Sequence, residues 1–170
     1  MKKVIYLAGG CFWGLEHLMQ SLRGVVDAES GYANGRSGEL ANYDAVCTGL
    51  TGFRETVKVE YDTEKVSLET LLAAYFAVID PTLINRQGMD MGTQYQTGIY
   101  YTDEESRGIV ERMAAEERKK HPRFYVELRS LENFYPAEEY HQDYLIKNPH
   151  GYCHISPAKM AEVRAMVGKG

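Results

Sequence analysis

The chain is short of cysteines, of long apolar runs and of basic residues, and each shortage excludes a class of protein. Its three cysteines, Cys11, Cys47 and Cys153, form no C-x-x-C pair. This excludes a disulfide-stapled secreted scaffold and leaves too few thiols for a standard zinc site without histidine ligands. No apolar run approaches the ~20 residues that cross a bilayer. The 19 lysines and arginines against 24 acidic residues give a net charge of −5, which argues against nucleic-acid binding.

The N-terminus predicts a cytoplasmic protein. Lys2 and Lys3 precede an apolar run and then Cys11, which is the order of a bacterial lipoprotein signal. The run 4–8 is shorter than the ~7–15 residues of a signal's apolar core, so we interpret it as a first strand. With 170 residues and 44% hydrophobic content, the chain is expected to form one domain, residues 1–170, in a reducing compartment.

Hydrophobic periodicity predicts alternating strands and helices. Ser67 is expected to cap one helix, and Thr102 with Glu105 to form a capping box for another. Segments 33–52 and 82–96 lack periodicity, and loops of that length are usually functional. The order within residues 4–101 is that of a split β-α-β unit, which predicts an α+β, ferredoxin-like two-layer sandwich with a mainly antiparallel sheet. The predicted strands are 4–8, 25–32, 56–61, 97–101 and 124–128, and the predicted helices are 12–22, 68–79, 102–120, 137–146 and one from Pro157.

The stretch Gly9-Gly10-Cys11-Phe12-Trp13-Gly14 joins the first strand to the first helix. The pattern places Cys11 at the first helical turn, where free N–H groups and the helix dipole favour an anion, so the pKa of the thiol is expected to be lowered. One of Phe12 and Trp13 is expected to face the core, and the other, or both, to wall an apolar pocket beside the sulfur. A buried structural cysteine beside core aromatics explains the same pattern equally well.

Seven motifs follow one another along the chain: GCFWG at 10–14, GYANG at 31–35, YDAVCTG at 43–49, GFRETV at 52–57, RQGMDMGTQY at 86–95, EEYHQDYL at 138–145 and KNPHGYC at 147–153. Together they resemble the peptide methionine sulfoxide reductases of the A class, enzymes that reverse methionine oxidation. Four positions depart from the family pattern: Asn34 stands for a glycine, Phe53 for a histidine, Arg54 for an alanine and Met89 for an asparagine. Asn tolerates the left-handed backbone that the glycine would supply.

The resemblance implies a reaction on the sulfur of methionine S-sulfoxide, free or within oxidised proteins. Cys11 would attack the sulfur and become a sulfenic acid. Because a sulfoxide oxygen leaves only when protonated, the site needs an acid that is neutral at working pH, and Glu55 fits that role. Without the resemblance, a solvated strand-edge carboxylate is the better interpretation of Glu55. Tyr43 and Tyr95 would donate hydrogen bonds to the oxygen, Asp90 would act through water, and Phe12 and Trp13 would bind the substrate.

The resemblance also implies a route for recycling the enzyme. Cys153 would condense with the sulfenic acid of Cys11 to form a disulfide. No cysteine follows Cys153 that could relay this disulfide, so thioredoxin would reduce it directly. Cys47 is the rival partner, but its loop is expected to pack and leave the thiol inert. No metal, organic cofactor, nucleic acid or membrane is expected to take part.

Two other chemistries remain as alternatives. Glu138-x-x-His141 has the spacing of a di-iron helix pair, but such a site needs two copies and further carboxylates, and the chain has one copy. A cysteine hydrolase would pair Cys11 with one of five histidines, and spacing selects none of them. A non-catalytic ferredoxin-like module with a buried Cys11 is the alternative outside enzymology.

Overall fold

Eight strands and six helices follow one another along residues 1–168, the part of the chain that the computed structural model describes. Three 3₁₀ segments, Gly38–Leu40, Thr93–Tyr95 and Glu139–His141, lie between them. No helix in this part of the chain is both long and apolar enough to cross a membrane. The elements are β1 (Lys2–Ala8), α1 (Phe12–Gln20), β2 (Val25–Ala33), α2 (Tyr43–Val46), β3 (Arg54–Asp62), α3 (Leu68–Val78), β4 (Arg86–Gln87), β5 (Asp90–Met91), β6 (Gly98–Tyr101), α4 (Glu104–Arg118), β7 (Glu127–Ser130), β8 (Phe134–Pro136), α5 (Tyr144–Lys147) and α6 (Pro157–Gly168).

The strands form a six-stranded sheet in the order β7-β6-β1-β3-β2-β8, with β4 and β5 as a separate hairpin. Every pairing in the large sheet is antiparallel except that of β6 with β7. Side chains alternate across β1 because successive residues of a strand point to opposite faces. Ile5 and Leu7 therefore join the main core with Leu15 and Leu71, whereas Ala8 lies in a smaller cluster on the other face. The predicted α+β class and mainly antiparallel sheet are confirmed.

Local signals place some element ends correctly. The Ser67 side chain accepts a hydrogen bond from the backbone N–H of Thr70 and caps α3, as predicted. The predicted cap of α4 is wrong by one residue. Asp103, not Thr102, has the extended N-cap backbone, and its carboxylate accepts the N–H of Ser106 at 2.7 Å. A carboxylate at this position also interacts favourably with the positive end of the helix dipole, which explains why the helix begins there.

The predicted helix 137–146 is wrong, and the predicted strand 124–128 begins late, at β7. A 3₁₀ turn and the short α5 replace the helix, with Asp143 between them in the left-handed region at φ 54°. The buried Glu16 carboxyl accepts the N–H of Asp143 at 2.8 Å, and the Gln142 side chain binds the Ser30 backbone at both N–H and carbonyl. Tertiary partners thus take the hydrogen bonds that a continuous helix would use.

Candidate active site

Cys11 is the N-cap residue of α1, on the turn where β1 ends. Gly10 makes this turn at φ +85°, and a Cβ there would lie 2.7 Å from the Cβ of Gln87, so both backbone freedom and close packing require glycine. Within residues 1–168 the Cys11 side chain makes no capping hydrogen bond. Only 8% of the residue is exposed.

The pKa of Cys11 is raised, contrary to the prediction from the helix dipole. Burial in a poorly solvated site is the main cause, and the neighbouring Glu55 carboxylate adds to it, while the backbone N–H of Trp13 acts in the opposite direction. The N-terminal position does favour a thiolate, but the cost of removing the charge from water is larger. The resting site therefore holds a neutral thiol.

The Glu55 carboxyl lies at the N-terminal end of α1, beside the Cys11 thiol. It lies near the start of β3, and its Oε1 accepts the N–H of Phe12 at 3.1 Å. Only 2% of the residue is exposed. Burial raises its pKa to about 8, with a further contribution from the charge of Asp90 and an opposing one from the Phe12 N–H. Glu55 is thus a carboxylic acid at neutral pH and not the solvated strand-edge carboxylate of the alternative interpretation.

Tyr43 and Tyr95 face the same site from two separate loops. Tyr43 begins α2, and its backbone N–H is held by Glu138 Oε2 at 2.9 Å. Tyr95 ends the 3₁₀ turn that follows the β4–β5 hairpin. Burial raises the pKa of both phenols. For Tyr43 a hydrogen bond with the Cys47 side chain and the charge of Cys47 come next, and the charges of Glu55 and Cys11 raise both pKa values further. Both hydroxyls therefore stay protonated and remain hydrogen-bond donors.

Phe12 lies in the core, whereas Trp13 lies at the rim of the site. Phe12 is 1% exposed and packs in the main core, whereas Trp13 is half-buried and stacks on Tyr144 with ring centroids 3.7 Å apart. Trp13 Nε1 donates to His141 Nδ1 at 3.0 Å. The sequence suggests His141 only as a metal ligand or a hydrolase base and does not single out Tyr144, because a helix over 137–146 gives no reason to place either side chain beside Trp13.

Asp90 and Cys153 belong to two segments that one hydrogen bond connects. The Tyr152 hydroxyl donates to Asp90 Oδ2 at 2.8 Å, and so links the β4–β5 hairpin to the segment that carries Cys153. The Cys153 sulfur lies over the first turn of α1, 3.0 Å from where a Cβ on Gly14 would be. Its charge is among those that raise the pKa of Cys11, as is that of Asp90. The fold therefore brings Cys153 close to Cys11.

The prediction that Cys47 is packed away is wrong. Cys47 is exposed at the C-terminal end of α2, because the buried side of this short helix is formed by Val46 instead. Inertness of this thiol therefore cannot be argued from burial.

The four departures from the family pattern are accommodated in different ways. Asn34 adopts the left-handed backbone at φ 57°, as predicted. The Phe53 ring is 1% exposed and packs edge-on to Tyr32 and Tyr135. Arg54 Nε binds Glu127 Oε1 at 2.9 Å, and Met89 is 89% exposed at the hairpin tip.

The site contains the groups for sulfur chemistry: two thiols, a neutral carboxylic acid and two neutral phenols. The described residues contain no cluster of three or more histidine, cysteine or acidic side chains suited to a metal. Glu138 is occupied by the Tyr32 hydroxyl and the Tyr43 N–H, and His141 by Trp13. Helix-borne metal ligation by this pair has no support, since its segment is not a helix.

Comparison with known proteins agrees with this chemistry. A family model described as peptide methionine sulfoxide reductase matches residues 3–168. The peptide methionine sulfoxide reductase MsrA of Clostridium acetobutylicum is 53% identical over 156 residues, 91% of this chain and 95% of that protein. Mxr1 from Saccharomyces cerevisiae in reduced form is similar with a TM-score of 0.87 at 36% identity, over 91% of each chain. Mxr1 in complex with Trx2 gives a TM-score of 0.60 at 27% identity, over 84% of each chain.

These matches define an oxidoreductase that acts on a sulfoxide. The chain belongs to the peptide methionine sulfoxide reductase family, A class.

Proposed function

We propose that the protein reduces the S epimer of methionine sulfoxide, free or within oxidised proteins, through a sulfenic acid on Cys11. The observation that carries this proposal is the protonated Glu55 carboxyl on the end of α1, next to the buried Cys11 thiol. A sulfoxide oxygen bound there meets both an acid and a nucleophile. This combination is what reduction of a sulfoxide needs, and it is not found in a purely structural cysteine site.

The protons and oxygen of this step balance without a further reactant. The Cys11 sulfur attacks the substrate sulfur, Glu55 gives its proton to the substrate oxygen, and the thiol proton passes to Glu55. The oxygen then moves to Cys11 as the substrate sulfur–oxygen bond breaks, which leaves the sulfide and Cys11–SOH. A raised thiol pKa is compatible with this order because the proton leaves only as the substrate is attacked.

The remaining site residues take supporting roles in this proposal. Tyr43 and Tyr95 donate hydrogen bonds to the sulfoxide oxygen, and their raised pKa values keep them neutral while they do so. Asp90 acts through water and through its bond to Tyr152. The half-buried Trp13 ring forms the apolar wall for the substrate methyl group, together with the buried Phe12 ring.

We infer that Cys153 resolves the sulfenic acid and that thioredoxin reduces the resulting disulfide. The position of Cys153 over the first turn of α1 supports the first step. Access supports the second, because Cys153 lines a surface groove of about 560 Å³ between α1 and α6. The structure of the yeast relative in complex with Trx2 supports thioredoxin as the reductant.

The fold type, the domain organisation and the cellular location belong to the same proposal. The order β6-β1-β3-β2 supports a ferredoxin-like sandwich as the scaffold. The continuous main core supports a single catalytic domain, residues 1–170. Three free cysteines support a reducing, cytoplasmic location, and the site as it stands needs no metal or organic cofactor.

The test is reduction of the separated R and S epimers of a methyl sulfoxide substrate with dithiothreitol, followed by measurement of the sulfide. Wild type should reduce only the S epimer. Cys11→Ser should abolish the reaction, because a hydroxyl cannot accept the oxygen to form a sulfenic acid. Turnover above background in Cys11→Ser would remove Cys11 as the nucleophile, and hydrolysis of esters without sulfide would favour the hydrolase.

A further inference from the structure

His154 is a buried side chain that the proposed reaction leaves unused. Its ring lies on the first turn of α1, with Nε2 3.5 Å from a Cβ built on Gly10 and Nδ1 3.2 Å from one built on Gly14. The Cys153 sulfur approaches the same Gly14 position at 3.0 Å. The imidazole therefore lies beside the thiol of Cys153 and against the turn that carries Cys11.

The His154 ring packs against Gly10, Gly14 and Gly88, and this packing does not use its two nitrogens. Both ring nitrogens are buried, and neither has a hydrogen-bond partner of acceptable geometry within residues 1–168. Burial lowers the pKa of His154, against smaller opposing effects of the Asp90 charge and the Gly9 backbone. The ring is therefore neutral at pH 7, and one nitrogen is a free proton acceptor.

The thiol of Cys153 needs such an acceptor. Only a thiolate attacks a sulfenic acid at a useful rate. Burial raises the pKa of Cys153, and in the reduced state its sulfur donates to the Ile155 carbonyl at 3.2 Å, an acceptor that cannot take the proton. Cys153 is thus placed to act as the resolving thiol, but it is a protonated thiol and not a thiolate.

We propose that His154 is the general base of the resolving step, taking the proton of Cys153 as that sulfur attacks the sulfenic acid of Cys11. This rests on the proposed function, since it requires the sulfenic acid. The new bond joins the two sulfurs, the sulfur–oxygen bond of Cys11 breaks, and the imidazolium of His154 returns the proton to the departing hydroxyl as water. The ring ends neutral, and no other reactant is consumed.

The groups around His154 define the expected pH dependence. Asp90 acts on the ring from the β4–β5 hairpin, and the Cys153 sulfur lies near it from its own segment. As the pH falls through the pKa of His154, the ring gains a proton and can no longer act as a base. The rate of disulfide formation should therefore fall in acid, whereas formation of the sulfide in the first turnover should not follow this titration.

The experiment is a rapid-quench single turnover without reductant, comparing wild type with His154→Gln and His154→Asn. His150→Gln is the matched control, because His150 is an exposed histidine on the same segment. Each quenched sample is analysed for sulfide and, by mass spectrometry, for the Cys11–Cys153 disulfide. We expect one sulfide per enzyme in every variant. Disulfide formation should slow by about 10²-fold or more in both His154 variants, as is usual for a lost general base, and remain unchanged in the control.

Chemical rescue separates a base from a structural residue. Added imidazole and raised pH should each restore fast disulfide formation in the His154 variants, because both supply the missing deprotonation. Unchanged disulfide formation in the His154 variants would overturn the proposal, as would slow formation that neither imidazole nor pH restores. Absence of sulfide from the wild-type first turnover would instead overturn the proposed function, and the role of His154 with it.

Discussion

At the scale of single residues, the decisive feature is a carboxylic acid that stays protonated because it is buried at the end of a helix. Glu55→Gln keeps the shape and can still accept the N–H of Phe12, but it cannot release a proton. We expect the rate of sulfide formation in a single turnover to fall by ~10²–10⁴-fold, the usual effect of lost general-acid help. Near-wild-type activity in Glu55→Gln would make the carboxyl only structural.

The pH profile tests the same residue without relying on one variant. The pKa of Glu55 is raised, mainly by burial, to about 8. The acid form is therefore present below about pH 8 and is lost as the pH rises through that value. We expect the wild-type single-turnover rate to decline on this alkaline limb and the remaining activity of Glu55→Gln to lack it. A limb that persists in the variant would have to arise from another group.

At the scale of elements, α4 offers a test of helix capping in which neighbouring residues serve as test and control. Asp103→Ala removes the acceptor for the N–H of Ser106, so the free energy of unfolding should fall by ~1 kcal/mol. Asp103→Asn keeps the acceptor and should recover most of the loss. Thr102→Ala, one residue earlier, should have almost no effect in the same denaturant titration. A larger loss for Thr102→Ala would return the cap to the residue that the sequence had suggested.

Glu16 connects α1 to β2 and to the segment before α5, and it makes stability depend on pH. Burial raises its pKa from 4.5 to about 7, although bonds from Ser30 and Asp143 oppose the shift. A carboxyl whose pKa is raised on folding stabilises the fold below its unfolded pKa, and this contribution is lost as the pH rises through the folded pKa. The stability of wild type relative to Glu16→Gln should therefore fall between about pH 4.5 and 7, by up to ~1.4 kcal/mol per pH unit. Exposed Glu39→Gln should show no such change in urea titrations.

At the scale of the whole molecule, features set by neighbouring residues could be predicted and features set by distant ones could not. The turn at Cys11 follows from an apolar strand, two glycines and a helical repeat, all within 20 residues of one another. The raised pKa of Cys11 depends first on burial by the surrounding fold and second on Glu55, which is contributed by β3. The predicted helix 137–146 fails for the same reason, because Glu16 of α1 accepts the backbone N–H of Asp143 and the Ser30 carbonyl of β2 accepts from the Gln142 side chain. No local pattern contains that information.

The same long-range folding brings together the two thiols that the proposed cycle needs, and this arrangement can be tested by removing each candidate thiol in turn. Cys153→Ser leaves Cys11 able to attack, so a single turnover should still give one sulfide per enzyme. Turnover with thioredoxin should stop, because no intramolecular disulfide forms for it to reduce. Cys47→Ser should keep thioredoxin-dependent turnover, although Cys47 is exposed, because the Cys153 sulfur lies over the first turn of α1, next to Cys11. Mass spectrometry of wild type after substrate alone should show a Cys11–Cys153 linkage. A Cys11–Cys47 linkage, or turnover with thioredoxin in Cys153→Ser, would transfer the resolving role to the exposed thiol.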